Sequence, residues 1–466
     1  MSALRAGTMA LAFAMWLASV GSAQEKNDDR TAELSKRVDQ LSALVAKLQA
    51  RVDELEAKVG TLASPPVESG PAELQTTSPP QPPPAAPAIR PTGAALLGGT
   101  TVNFLFDGYY GYNFNNPVGR VNYLRAFDVL SNAFSLSQAD VILENAPDPD
   151  NGKRFGLRLD LQFGQATATL QGNADNEARP AIYRNIFQAY GTYIFPVGGG
   201  LTVDFGKWAS SLGMEGNYTK DQINYSRSLL FDFLPFYHMG VRANYKVDNL
   251  LSLNYWIVNG TDQTEPTNGF KDEMFGFVLT PAKSLTWTVN YYLGMEHPDV
   301  LYLPNYTGNS LPTEQGLAFE PIPSPPHGKL HIFDSYAQWQ ASKKLGFAWE
   351  GDDVIERLYE NSAPQHVAGG AVYSRYQLTP RFALAARTEY VSDRGGLFTG
   401  TTQAVKEQTF TAEQMVADGL LLRAEWRRDA SNHPYFLTDT LNILKKEQNT
   451  ATLGVVWWFG GKQGVW

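Results

Sequence analysis

The chain predicts an all-β protein: a transmembrane antiparallel β-barrel of about 16 strands, preceded by an α-helical coiled coil and a proline-rich linker. Three observations carry this expectation. Segments from Thr101 onward alternate apolar and polar side chains, with charge on the polar face. The connections between them alternate between long and short. Aromatic residues make up 12% of the 466 residues and charged residues only 18%, yet mean hydropathy is −0.28. Beyond the N-terminal segment no apolar run approaches the roughly 20 residues of a spanning helix, whereas a spanning strand needs only about 9–11 and one greasy face.

Residues 1–23 read as a secretory signal peptide, with Arg5 at the positive start, an apolar core from Met9 to Val20, and Gly21, Ser22 and Ala23 at the cleavage site. The mature chain is expected to begin near Gln24. Within residues 24–63, Leu34, Val38, Leu41, Val45, Leu48, Val52, Leu55, Val59 and Leu62 follow 4-3 spacing without a miss. Such a seam, with Val at a and Leu at d, predicts a coiled coil and nominally favours two strands; a lone amphipathic helix is the alternative. Residues 64–100 read as a linker, because ten prolines between Ser64 and Pro91 remove backbone donors and favour extended chain.

Residues 101–466 supply the barrel. In the first strand Val102, Phe104, Phe106, Tyr110, Tyr112 and Phe114 oppose Asn103, Asp107 and Asn113. The cleanest alternation sets Phe155, Leu157, Leu159, Leu161 and Phe163 against Arg158, Asp160 and Gln162. In 201–206, Leu201, Val203 and Phe205 oppose Thr202, Asp204 and Gly206; in 241–245, Val241, Ala243 and Tyr245 oppose Arg242 and Asn244. Later strands are expected over 250–260, 284–294, 381–390, 420–429 and 450–459. The facing of Ala133–Glu144 and Thr409–Met415 stays open.

Long connections are expected near 114–133, 165–183, 209–236, 259–272, 296–328, 352–366, 392–407 and 430–448. Short turns are expected at Pro147–Gly152, Pro196–Gly200, Val247–Asn249, Pro281–Lys283, Ser342–Lys344, Thr379-Pro380 and Val416–Gly419. Strict alternation puts every long loop at one end of the sheet, the asymmetry of outer-membrane barrels. It places both termini, and with them the coiled coil, in the periplasm. A soluble β-sandwich is the competing fold, and one-sided loops behind a signal peptide argue against it.

Zero cysteines exclude disulfides and thiolate metal sites. A net charge of −9 without a basic block argues against nucleic acid as a partner. None of the six histidines has Ser two residues on, no HExxH occurs, and GxSxG and phosphate-cradling loops are missing. No enzymatic activity, cofactor or metal site is therefore expected.

Residues VDFGKWASSLGMEG (203–216), NYSRSLLF (224–231), PFYHMGVRANY (235–245) and IVNGTD (257–262) resemble the OmpL-like β-barrel porins of the porin-2 family, with weaker likeness in LRAEWRRD (422–429) and the closing TLGVVWWF. The resemblance spans roughly Thr101 to Phe459. It implies a barrel porin of the bacterial outer membrane and leaves the solute undefined. Porins usually form trimers, so a homo-oligomer is expected, a trimer ahead of the dimer that the seam favours. The sequence departs from the usual last strand closed by an aromatic residue: GGKQGVW follows Phe459, and counting back in twos from Trp466 gives Gly464, Lys462 and Gly460, which is not an apolar face.

The expected function is passive diffusion of small hydrophilic solutes or ions. If loop 209–236 folds inward, Glu215, Asp221 and Asp232 form an acidic rim, and Arg158, Arg242, Arg387, Arg423 and Arg427 an opposing basic wall. The alternative is that these charges pair across strands and hold the wall. Most of the acidic excess resides in the barrel, which suggests a weak cation preference. Competing functions are envelope tethering through the coiled coil, with the cell wall as partner, and a channel selective for phosphate or sugars.

Overall fold

The computed structural model describes residues 99–171, 177, 180–302 and 319–462. The signal peptide, the coiled-coil seam and the linker lie outside the described residues. Sixteen strands form the barrel wall: β1 (Thr101–Asn113), β2 (Ala133–Asn145), β3 (Phe155–Phe163), β4 (Ile186–Phe195), β5 (Leu201–Ala209), β6 (Tyr237–Lys246), β7 (Leu251–Val258), β8 (Asp272–Ala282), β9 (Leu285–Gly294), β10 (Leu330–Gln340), β11 (Leu345–Glu356), β12 (Gln365–Thr379), β13 (Phe382–Arg394), β14 (Gln403–Ala417), β15 (Leu420–Ser431) and β16 (Glu447–Gly460). Each pairs antiparallel with its sequence neighbours, and β16 closes on β1 from Asn103↔Gly460 to Asn113↔Thr450. Closure leaves no unpaired edge, the condition for a sheet to sit in lipid. Small hairpins decorate two loops, pairing Val300–Tyr302 with Phe319–Pro321 and Phe436–Leu437 with Leu444–Lys445.

The pleat sorts the side chains. Asn103, Asp107 and Asn113 are buried in the interior, whereas Val102, Phe104 and Phe106 are exposed on the outside. Arg158, Asp160 and Gln162 are likewise buried, with Phe155, Leu157 and Phe163 outside. The two stretches of open facing have different causes. In β2 a bulge at Ser137, where the register with β1 shifts between Asp107 and Gly108, turns both Ser137 and Gln138 inward. One extra residue reverses the phase of the alternation. In β14 both faces are polar: Glu407, Thr409 and Thr411 are buried, while Lys406, Gln408 and Gln414 are exposed.

The longest loops all emerge at one end, but the alternation of length is not strict: residues 146–154 between β2 and β3, at the short-turn end, outnumber 357–364 and 395–402 at the long-loop end. Several strands run further than expected. β11 extends to Glu356 and β12 begins at Gln365; β13 reaches Arg394 and β14 begins at Gln403. Two long connections are therefore shorter than expected, because polar residues inside a wide barrel make strand ends look like loop. Pro281, Thr379 and Val416 lie in strands, next to register shifts that tighten the turns. At the closing strand Phe459 stacks on Phe104 with centroids 4.8 Å apart. The chain continues past it to Lys462, whose amide donates to Asn103 Oδ1 and whose ammonium reaches Glu144 at 2.8 Å.

Candidate functional site: a loop across the lumen

Sixteen strands enclose an interior too wide for wall side chains alone to fill. Residues 210–236 between β5 and β6 occupy much of it. A loop in such a place must satisfy its backbone amides and carbonyls without bulk water. The wall meets that demand with matched chemistry: arginine is a donor only and caps carbonyls, while ionised carboxylates accept from amides.

On β13–β15, Arg387 donates to Ser226 O (2.8 Å) and Arg227 O (3.0 Å) and pairs with Glu215 (3.0 Å). Arg423 donates to the carbonyls of Thr219 (2.8 Å), Asn224 (3.1 Å) and Gln222 (2.5 Å). Arg427 donates to Arg227 O. Glu425 accepts from the amides of Tyr225 (2.6 Å) and Ser226 (2.9 Å), and Glu389 from that of Leu229 (2.7 Å). The adjoining wall, β1–β3 beyond β16, holds the same loop. Thr219 Oγ1 and Tyr225 OH donate to Asp107 (2.8 and 2.9 Å), Gln138 donates to Asn217 O (3.0 Å), and Tyr218 OH donates to Asp160. The ring of Tyr225 lies against Gly454 of β16, where a Cβ would run into it.

Within the loop Glu215 accepts from Ser228 N (2.6 Å), and Ser228 Oγ caps the short helix Leu229–Phe233 by accepting from Phe231 N (3.0 Å). Arg227 folds back onto the carbonyls of Gly216 (3.0 Å) and Asn217 (2.7 Å).

The charges of the expected site therefore do not face one another across water. Glu215, Arg387 and Arg427 are brought into one buried network, in which Glu407 lies 3.4 Å from Arg387 and 3.6 Å from Arg427. Arg387, Arg423 and Arg427 have at most 1% of their side chains exposed. They grip the loop and are no open basic wall. Arg158 sits apart, paired with Asp160 at 3.0 Å, and Arg242 is fixed by Asp204 at 2.6 Å beneath the rings of Tyr190 and Trp208. Asp221 is held by Lys220 at 2.7 Å. Asp232 lines a cavity, and its Oδ1 is buried without a hydrogen-bond partner.

That cavity, of about 470 Å³, opens above the loop between Asp232–Phe236 and the inner faces of β10–β12, with Asp262, Glu296 and Glu356 in its lining. A second cavity of about 360 Å³ lies toward the short-turn end, lined by Ile223 of the loop together with Gln338, Ala348 and Arg375. Along β11 the inward residues run from Glu356 and Val354 at the first cavity, through Asp352 and Glu350, to Ala348 at the second. Between the cavities Asp334, Glu350 and Asp352 bring carboxylate oxygens within 4.8 Å of one another. Asp334 stands directly opposite Asp352 in the β10–β11 register.

The family model described as "Putative beta-barrel porin-2, OmpL-like" matches residues 99–459, which is the whole barrel. The chain belongs to this porin family. It is a barrel porin of the outer membrane. A comparison with curated sequences gives no match. Similar solved structures include the outer membrane channel DcaP of Acinetobacter baumannii (10% identity, covering 77% of this chain and 97% of that one, TM-score 0.49). An anion-selective porin from Comamonas acidovorans (6%, 77% and 99%, TM-score 0.49) and OmpT of Vibrio cholerae in its trimer form (11%, 77% and 99%, TM-score 0.48) are similar to the same extent. Likeness at this level adds nothing to the family match.

Two carboxyls lining the porin's outer cavity have shifted acidity. Burial pushes both Asp232 and Asp262 up to about 7. Arg427 and Arg125 pull Asp232 down against that, as do the amides of Phe236 and Tyr237 for Asp262. The residues that the sequence reading missed are Asp334, Glu350 and Asp352. Their signal was the alternation Phe333-Asp334 and Trp349-Glu350, apolar outside and acid inside. Placing a loop from 352 onward hid it, and no sequence pattern gives the register that sets Asp334 against Asp352.

Proposed function

We propose that small hydrophilic solutes cross the outer membrane along the β10–β11 side of this lumen, cations ahead of anions, with loop 210–236 as the constriction. The observation that carries the reading is the run of inward residues along β11, which passes from one cavity to the other by way of the acidic cluster. The sign follows from which charges are satisfied. The arginines that grip the loop are spent on carbonyls and carboxylates, whereas the acidic cluster keeps oxygens without partners. The porin passes its solutes without chemistry. It works as a homo-oligomer, a trimer ahead of a dimer, with its N-terminal helix in the periplasm.

Planar-bilayer recording of the purified full-length protein tests this. Wild type should give discrete conductance steps, and replacing residues 212–233 by a short Gly-Ser linker should enlarge them. Wild type without steps would end the channel reading. Unchanged steps in the shortened protein would remove the constriction from the loop.

A further inference from the structure

The β10–β11 cluster is an unusual thing to build into a wall. Like charges directly opposite in an antiparallel pair are destabilising, and a buried carboxylate without a counter-charge is more costly still. Asp334 and Asp352 are nevertheless register partners, flanked by Asn290 on β9 and Gly369 on β12. Asp352 is 3% exposed, and neither of its oxygens has a hydrogen-bond partner; Asp334, 1% exposed, leaves Oδ1 without one. Among the described residues no lysine or arginine is paired with any of the three carboxylates. Around Asp352 the charged neighbours Glu350, Asp334 and Glu389 are all acidic.

We propose that Asp334, Glu350 and Asp352 bind a hard divalent cation of the Ca²⁺ type, which fastens the start of the third loop to the wall. Such ions take carboxylate oxygens, keep water in the remaining positions and tolerate irregular geometry. One ion answers both anomalies, the repulsion across the register and the unpartnered oxygens aimed into the cluster. The same groups hold the loop. Glu350 Oε1 accepts from Met214 N (2.8 Å), while Asn290 Nδ2 donates to Asp334 Oδ2 (2.6 Å) and to Ser211 O (3.3 Å). An ion that fixes these carboxylates fixes residues 211–214 with them. The binding step does not depend on the conduction reading; the effect of fastening the loop on current rests on it.

Full-length protein in detergent, free of lipopolysaccharide, is titrated with Tb³⁺ and then with Ca²⁺. Tyr373, whose hydroxyl donates to Glu350 at 3.1 Å, is placed to sensitise terbium emission. Wild type should show saturable emission that Ca²⁺ displaces, and Ca²⁺ should raise its unfolding temperature. Asp352→Asn should weaken both responses about tenfold or more, since affinity follows the count of charged ligands. It also relieves the repulsion, so this variant should fold. Asp353→Asn, which neutralises the neighbouring carboxylate, should leave both responses unchanged. A wild type indifferent to Ca²⁺, as when Asp334 and Asp352 simply share a proton, overturns the site. Equal responses in wild type and Asp352→Asn, or equal losses in Asp352→Asn and Asp353→Asn, overturn it too. In bilayers at constant ionic strength Ca²⁺ should reduce the wild-type current but not that of Asp352→Asn. Binding without an effect on current overturns the fastening.

Discussion

The two sides of this lumen carry charge in opposite ways. On β13–β15 basic and acidic residues are equally present and almost wholly satisfied, so the wall behaves as a clamp for the third loop. On β10–β11 the inward charges are all acidic, and Asp334 Oδ1 and both oxygens of Asp352 are left without partners between two cavities. A charged residue that points into a barrel is thus not yet a pore residue. What decides is whether the polypeptide has already used its hydrogen-bonding capacity. Counting charges along the strands would have placed a basic lining where the structure places an anchor.

The largest effect should come from breaking the clamp. Arg387→Ala strips Glu215, Glu389 and Glu407 of a shared counter-ion (3.0, 2.7 and 3.4 Å) and frees two loop carbonyls. Orphaned buried carboxylates cost about 3–5 kcal/mol. Thermal unfolding in detergent should show that loss, with larger and noisier current steps as the loop comes free. A variant as stable and as quiet as wild type would mean that the clamp is dispensable.

A smaller effect is expected where the loop meets the acidic side. Gly213 has φ +85°, and a Cβ there would stand 2.8 Å from Leu234 Cδ1 and 3.1 Å from Glu350 Oε1. Gly213→Ala should cost about 1–2 kcal/mol from the left-handed backbone alone and disturb the contact of Met214 with Glu350. The comparison is sharpened if this substitution alters ion preference as well as stability while Arg387→Ala alters mainly stability and conductance.

The barrel was legible in the sequence because its two signals, alternation within strands and alternation of loop lengths, are local. β3 could be assigned side chain by side chain. β2 could not, since the bulge at Ser137 reverses the phase partway, and β14 could not, since Lys406 and Gln408 face outward. The site was legible in kind but not in arrangement. Glu215 and Arg387 are 172 residues apart in the chain, and only the folded loop shows that they touch. Asp352 was hidden for a simpler reason, that a polar strand end inside a barrel looks like a loop.

Next in size is a pH effect at the outer cavity. Asp232 and Asp262, with folded values of about 7 against an ordinary 3.8, are largely neutral at pH 5 and charged at pH 8. Raised carboxyl values mean that their contribution to stability is fully present below about pH 4 and is lost as pH rises through about 7. Thermal stability should therefore decline between about pH 4 and 7, and cation preference grow between about pH 6 and 8 as the carboxyls ionise. Asp262→Asn should flatten both profiles, and a wild-type ion preference constant across that range would contradict the assignment.

The smallest effect belongs to a pair on the outside of the clamp. Arg428 and Glu447 form an ion pair with side chains 45% and 47% exposed. Arg428→Ala should cost less than about 1 kcal/mol and leave the current unchanged. A loss comparable to that of Arg387→Ala would erase the distinction between buried clamp and surface pair.

The reversal potential of single channels in a potassium chloride gradient, wild type beside the double variant Asp334→Asn and Asp352→Asn, puts the unpaired acidic side to the test most directly. Wild type should prefer potassium over chloride, and the double variant should lose most of that preference while its channels still open. Chloride preference in wild type, or an unchanged potential in the double variant, would mean that ions do not pass along β10–β11.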